Sequence, residues 1–75
     1  MNQLAILDII DANHKVIRQH QSLFDTTMEK LKAEKNIFSK KSRTLWLRVN
    51  YHLEISKRLI AENEVLLKLL KKFEV

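Results

Sequence analysis

The chain has 75 residues, of which 45% are hydrophobic and 31% are charged. A single domain of this length, spanning residues 1–75, has a thin core, and without cysteine it has no disulfide or thiolate metal site to reinforce it. Glycine and proline are also absent. Because tight turns and β-bulges usually recruit glycine, this composition predicts long, uninterrupted helices and an all-α fold.

The apolar stretches are too short for a membrane span. Runs such as Leu4-Ala5-Ile6-Leu7 fall far below the ~20 residues that a transmembrane helix requires. No basic residue precedes Lys15, and Asp8 and Asp11 interrupt the first apolar stretch, so a signal peptide is not expected. The sequence therefore favours a cytoplasmic protein without a transmembrane segment.

The first half of the chain has the period of an amphipathic helix. Two neighbouring columns of residues seven apart are mainly apolar, and the column between them is polar in its middle. The apolar columns are Ile10, Ile17, Phe24, Leu31, Phe38 and Ile9, Val16, Leu23, Lys30, Ile37, and the middle column is Ile6, Asn13, His20, Thr27, Glu34. This pattern predicts helix 1 over about residues 2–35.

The second half repeats the arrangement. Its apolar columns are Trp46, Leu53, Ile60, Leu67 and Leu45, His52, Leu59, Leu66, Phe73, and the middle column is Ser42, Val49, Ser56, Asn63, Leu70. The pattern predicts helix 2 over about residues 40–74. Trp46, in an apolar column, is expected in the core.

An antiparallel, coiled-coil-like hairpin matches the two middle columns. The pairs are Ile6 with Leu70, Asn13 with Asn63, His20 with Ser56, Thr27 with Val49, and Glu34 with Ser42. Buried amides and imidazoles need hydrogen-bond partners, and this register supplies them. The turn then falls at residues 36–39. Asn36 is expected in the left-handed conformation that ends helix 1, and Ser39 or Ser42 is expected to cap helix 2.

Two alternatives to the hairpin remain open at this point. One is a single continuous helix, since no glycine or proline forces a break. The other is a strand over residues 45–55, where apolar and mostly polar residues alternate among strand formers. Such a strand would pair with its copy in a second chain.

Both ends of the chain are more apolar than one hairpin can cover. We therefore predict self-association, most simply of two hairpins into a four-helix bundle, or a groove for an amphipathic helix of another protein. The predicted self-association residues are Ile6, Ile9, Ile10, Leu66, Leu67, Leu70 and Phe73.

Positive charge is concentrated around the fold-back. Residues 30–48 hold seven basic residues and one acid, whereas the rest of the chain holds seven basic and eight acidic residues. Cations at the start of helix 2 oppose the helix dipole, so they point to an anionic ligand beside a helix N-terminus rich in hydroxyls. The candidate residues are Lys35, Phe38, Lys40, Lys41, Arg43 and Arg48. The partner could be nucleic acid, an acidic protein or a membrane surface, and plain solvated charge is the alternative.

No arrangement of residues predicts catalysis. Asp11 and His14 have the spacing of one half of a di-iron motif, but the second half is missing. No catalytic triad with an orienting acid can be identified, and a phosphate-binding glycine loop requires glycine. We expect no metal or cofactor. The sequence predicts a non-enzymatic protein–protein interaction module, with a nucleic-acid-binding dimer as the alternative.

Overall fold

The computed structural model describes residues 2–73, which form two α-helices, α1 (Gln3–Lys32) and α2 (Lys40–Lys71). The helices pack against each other along their length and form a rod of 57 × 15 × 15 Å. The predicted all-helical hairpin is thus confirmed. Residues 45–55 are helical throughout, so the strand alternative is wrong, and the break at residues 33–39 excludes one continuous helix.

Side-chain caps fix where each helix begins. Asn2 precedes α1, and its side-chain oxygen accepts a hydrogen bond from the backbone N–H of Ala5 at 2.8 Å. Ser39 precedes α2 in the same way, and its hydroxyl accepts from the N–H of Ser42 at 3.1 Å. Such caps satisfy N–H groups that have no partner inside the helix. Of the two serines predicted as caps, Ser39 is the one that acts.

The end of α1 differs from the expectation. The helix ends at Lys32, earlier than predicted, and Ala33 follows in a right-handed helical conformation. Asn36 does not adopt the left-handed conformation, since no residue between 2 and 73 has a positive φ angle. Its side-chain oxygen instead accepts from the N–H of Phe38 at 2.9 Å, and its carbonyl accepts from the Ser42 hydroxyl at 2.7 Å. These bonds tie the turn to α2 without left-handed backbone. The predicted end of helix 2 at residue 74 lies outside the described residues.

The helices meet along a heptad seam. On each helix, the buried or half-buried residues of this seam recur at alternating spacings of three and four residues. The α1 seam is Ile6, Ile10, Asn13, Ile17, His20, Phe24, Thr27, Leu31. The α2 seam is Ser42, Leu45, Val49, His52, Ser56, Leu59, Asn63, Leu66, Leu70. Each helix therefore buries its middle column and one of its two apolar columns. The other apolar column of each helix lies outside the seam.

A contiguous apolar cluster lies at the end of the rod that holds the chain termini, and Leu31, Leu45 and Val49 are buried nearer the fold-back. Ile6 is only 1% exposed and packs with Ile10 and Leu66, while Ile9 and Leu70 cover this cluster. Further along the rod, the seam contains polar layers. Within residues 2–73, neither helix is long and apolar enough to cross a membrane.

Candidate functional site

The polar layers of the seam are joined by hydrogen bonds between the helices. The Asn13 side-chain amide donates to Oδ1 of Asn63 at 2.9 Å, which confirms the predicted pairing of these two residues. Asn63 is 5% exposed, and its Nδ2 has no hydrogen-bond partner within the described part of the chain. A buried amide of this kind tolerates only a partner that offers a matching polar atom. The pair therefore fixes the register of the two helices.

The next polar layer differs from the prediction. His20 does not meet Ser56: its Nδ1 lies 2.8 Å from Nδ1 of His52, and the His20 ring also contacts the edge of the Tyr51 ring. The prediction failed because it matched the middle columns alone. In the seam, α2 also contributes the column that contains His52, which is one turn closer to the fold-back than Ser56. Ser56 is buried in the seam without forming this pair.

The histidine pair requires at least one neutral ring. At this separation one Nδ1–H donates to the bare Nδ1 of the other ring, and two protonated rings would place two donors and two positive charges face to face. Burial lowers the pKa of His52, and the neighbouring charges of His20 and Arg48 lower it further. The layer therefore favours the neutral form of His52.

The predicted self-association residues divide into two groups. Ile6, Ile10 and Leu66 are buried within one hairpin, with Ile9 and Leu70 packed against them, so this group forms the core of a single chain. Leu67 and Phe73 are each 48% exposed. The second group is therefore the more accessible to another molecule, and half-buried Ile9 is the partly accessible member of the first group besides Leu70.

Among the exposed apolar residues, the two apolar columns that the seam leaves out are the ones that form rows at heptad spacing. The α2 outer row is Trp46, Leu53, Ile60 and Leu67, with exposures between 37% and 48%. The α1 outer row is Ile9, Val16 and Leu23, which is half-buried at Ile9 and exposed at the other two positions. Trp46 therefore lies on the surface, and its predicted place in the core is wrong.

The two outer rows lie on opposite faces of the hairpin. Ile60 and Leu67 share a groove with His14, Arg18 and Gln21 of α1. Leu23, by contrast, shares a different groove with Leu47 and Tyr51 of α2. The α2 outer row thus lies beside a polar strip of α1, whereas the α1 outer row lies beside further apolar side chains of α2. In the sequence, each row was visible as the apolar column of its helix that does not enter the seam.

Four of the basic residues between positions 30 and 48 line one open cleft of about 450 Å³. Lys30 comes from the last turns of α1, and Lys40, Lys41 and Arg48 come from the first turns of α2. We call this the basic cleft. Lys41 also forms an ion pair with Glu34 at 3.0 Å, so one acid partly neutralises the cluster.

Other residues of the predicted basic site lie apart from the cleft. Lys35, Phe38 and Arg43 are exposed and do not line it, and Phe38, at 77% exposure, is at the tip of the turn. The nearby hydroxyls are engaged in the fold: Ser42 donates to the Asn36 carbonyl, and Thr44 donates to the Lys40 carbonyl at 3.1 Å. An anion in the cleft would therefore meet mainly ammonium and guanidinium groups.

Residues 2–73 contain no group of three or more histidine, aspartate or glutamate side chains placed to hold a metal ion. Comparison of the chain with models of known protein families, with curated proteins and with solved structures gives no match. Function must therefore be inferred from the surfaces of the hairpin.

Proposed function

We propose that this protein is a non-enzymatic helical interaction module that self-associates through apolar surface and acts as an adaptor, chaperone or regulator of another protein. The observation that carries the proposal is the pair of apolar rows left open on the hairpin. Rows of large apolar side chains at heptad spacing are what helices bury when they assemble into bundles. A second hairpin packed against one row would complete a four-helix bundle.

The surface area of the chain supports this proposal. A compact folded monomer of 8.9 kDa has roughly 4,800 Å² of accessible surface by the usual scaling with mass. This hairpin has 6069 Å² because it is a thin rod. The difference, about 1,250 Å², exceeds the ~800 Å² that each partner buries in a standard protein–protein interface. One more hairpin alongside would therefore restore ordinary compactness.

Thermal unfolding at several protein concentrations tests this proposal. If folding is coupled to assembly, the apparent Tm rises with concentration, because mass action favours the assembled native state. We expect a rise of several degrees over a hundredfold range of concentration. A Tm that does not depend on concentration, in a chain that unfolds reversibly, would contradict self-association.

The basic cleft supports a second candidate function, binding of nucleic acid by the self-associated form. The observation in its favour is the convergence of four cations from two helices on one concave surface. Phosphate contacts of this type supply sequence-independent affinity and make binding depend on salt.

Titration of labelled duplex DNA and RNA at several salt concentrations tests this second candidate. Each duplex-phosphate contact contributes about 0.9 to the slope of log affinity against log salt. We expect Lys40→Gln with Arg48→Gln to lower the affinity and reduce the slope, while Lys15→Gln, a control outside the cleft, changes neither by as much. Equal effects of the two variants would leave the cleft without a specific role.

A further inference from the structure

We infer that the occupant of the α2 outer row is a second copy of this chain, docked antiparallel about a two-fold axis, and that a column of alternating charges on α1 sets its register. The inference rests on the proposed self-association and specifies its face, partner and geometry. It derives from a feature that self-association alone does not require. The order of charges beside the row is such that two antiparallel copies place opposite charges next to each other.

The charges lie seven residues apart on α1, in the column Asp11, Arg18, Asp25 and Lys32, which we call the α1 charge column. Residues at this spacing share one side of a helix that follows a heptad seam. Arg18 lines the same groove as Ile60 and Leu67, and it also lines a second groove with Leu23 on the outer side of α1, so the column lies along the edge of the face that carries the α2 outer row. All four residues are exposed.

The signs of the column alternate, and this alternation selects an antiparallel partner. When the column meets its copy running in the opposite direction, Asp11 faces Lys32 of the second copy and Arg18 faces Asp25 of the second copy. The two-fold axis repeats both pairs, so all four residues meet an opposite charge. Such self-complementarity is the requirement for an isologous interface between identical chains.

The same two-fold axis also matches the apolar row. The centre of the charge column lies between Arg18 and Asp25, close to His20, and His20 is level with His52 on α2. The axis therefore passes α2 near Leu53. Leu53 then meets Leu53 of the second copy, and Trp46 meets Ile60 of the second copy. One axis thus pairs large apolar residues on α2 and opposite charges on α1.

The opposite face fits a second copy less well. Its α1 outer row is shorter, and the next position of that column is Lys30, one of the cations of the basic cleft. Leu47 and Tyr51 of α2 add exposed apolar surface there, but the residues seven positions on from them are Glu54 and Arg58, so they do not form a row. A second copy on the α2 outer row, in contrast, leaves the groove that contains Leu23, Tyr51 and Arg48 open. That face remains accessible to another protein in the assembled form.

Charge exchange tests the inference, with sedimentation velocity as the measurement. Arg18→Glu gives a column in which like charges meet twice across the axis, and so does Asp25→Lys. We expect each single variant to weaken self-association roughly 10- to 100-fold, since each loses two exposed attractive pairs and gains two repulsive ones. The double variant should recover most of the affinity. An equimolar mixture of the two single variants should form a heterodimer, because each then presents the complementary charge.

Matched controls separate this face from the other one. Glu29→Lys reverses a charge on α1 outside the column and should have little effect. Leu53→Glu should abolish self-association. The monomer should stay helical by circular dichroism, because Leu53 is already 37% exposed within the hairpin. Leu23→Glu, on the opposite face, should leave the dimer intact. Self-association that survives Leu53→Glu and the charge exchanges but is lost in Leu23→Glu would overturn the inference and leave the proposed function standing. A wild-type chain that stays monomeric at every concentration would overturn both.

Discussion

The Asn13–Asn63 layer gives the sharpest prediction about the fold. Replacing Asn13 with Leu removes the amide that donates to Oδ1 of Asn63 at 2.9 Å. Nδ2 of Asn63 already has no partner within residues 2–73, so both polar ends of a side chain that is 5% exposed would then be unsatisfied. Leaving a buried polar group unpaired costs about 1–3 kcal/mol. We expect Asn13→Leu to lower the free energy of unfolding by that amount.

The double variant Asn13→Leu/Asn63→Leu should behave differently. Replacing both partners with apolar groups of similar shape is often neutral or stabilising, so the double variant should be at least as stable as the wild type. Urea unfolding followed by far-UV circular dichroism at one fixed protein concentration measures these effects. Gln19→Leu, at an exposed position of α1 that lies outside the seam and outside the groove of Ile60 and Leu67, controls for the change in helix propensity. Destabilisations that add, rather than cancel, in the double variant would refute the role assigned to this layer.

Three further predictions concern the turn, the register and the response to pH. Ser42→Ala should destabilise the hairpin by about 1–2 kcal/mol in the same urea assay, because the buried Ser42 hydroxyl holds the turn to α2; an unchanged midpoint would contradict this. Cysteines in place of Asn13 and Asn63 should form an intrachain disulfide at low protein concentration, and purely interchain species on a non-reducing gel would indicate a different pairing. Because the pKa of His52 is lowered in the folded state, the unfolded chain binds more protons just below the ordinary histidine pKa of about 6.5. Stability should therefore fall as pH decreases from about 6.5 towards the lowered pKa, and His20→Asn with His52→Asn should flatten this part of the profile.

Much of the fold was predictable from the sequence because heptad periodicity is a local signal. The two helices and the Asn13–Asn63 pair followed from the spacing of apolar and polar residues. The layer at His20 was not predicted, because a seam uses two columns of each helix and the sequence does not say which apolar column α2 turns inwards. The same ambiguity misplaced Trp46, which has the spacing of a core residue and lies on the surface.

The candidate functional surfaces were only partly predictable. The excess charge near the fold-back was evident from the sequence. Only the fold shows that Lys30 and Arg48 join Lys40 and Lys41 in one cleft, and that Arg43 does not line it. The apolar excess was also evident. Its division between a buried terminal core and two exposed rows depends on how the helices face each other, which is a tertiary property.

Sedimentation equilibrium of the wild-type chain tests the central claim most directly. The chain has a mass of 8.9 kDa. We predict a predominantly helical species of about 18 kDa that dissociates on dilution through the micromolar range, as expected for a dimer of moderate affinity. A single species with the mass of one chain at every concentration, folded and helical, would contradict it.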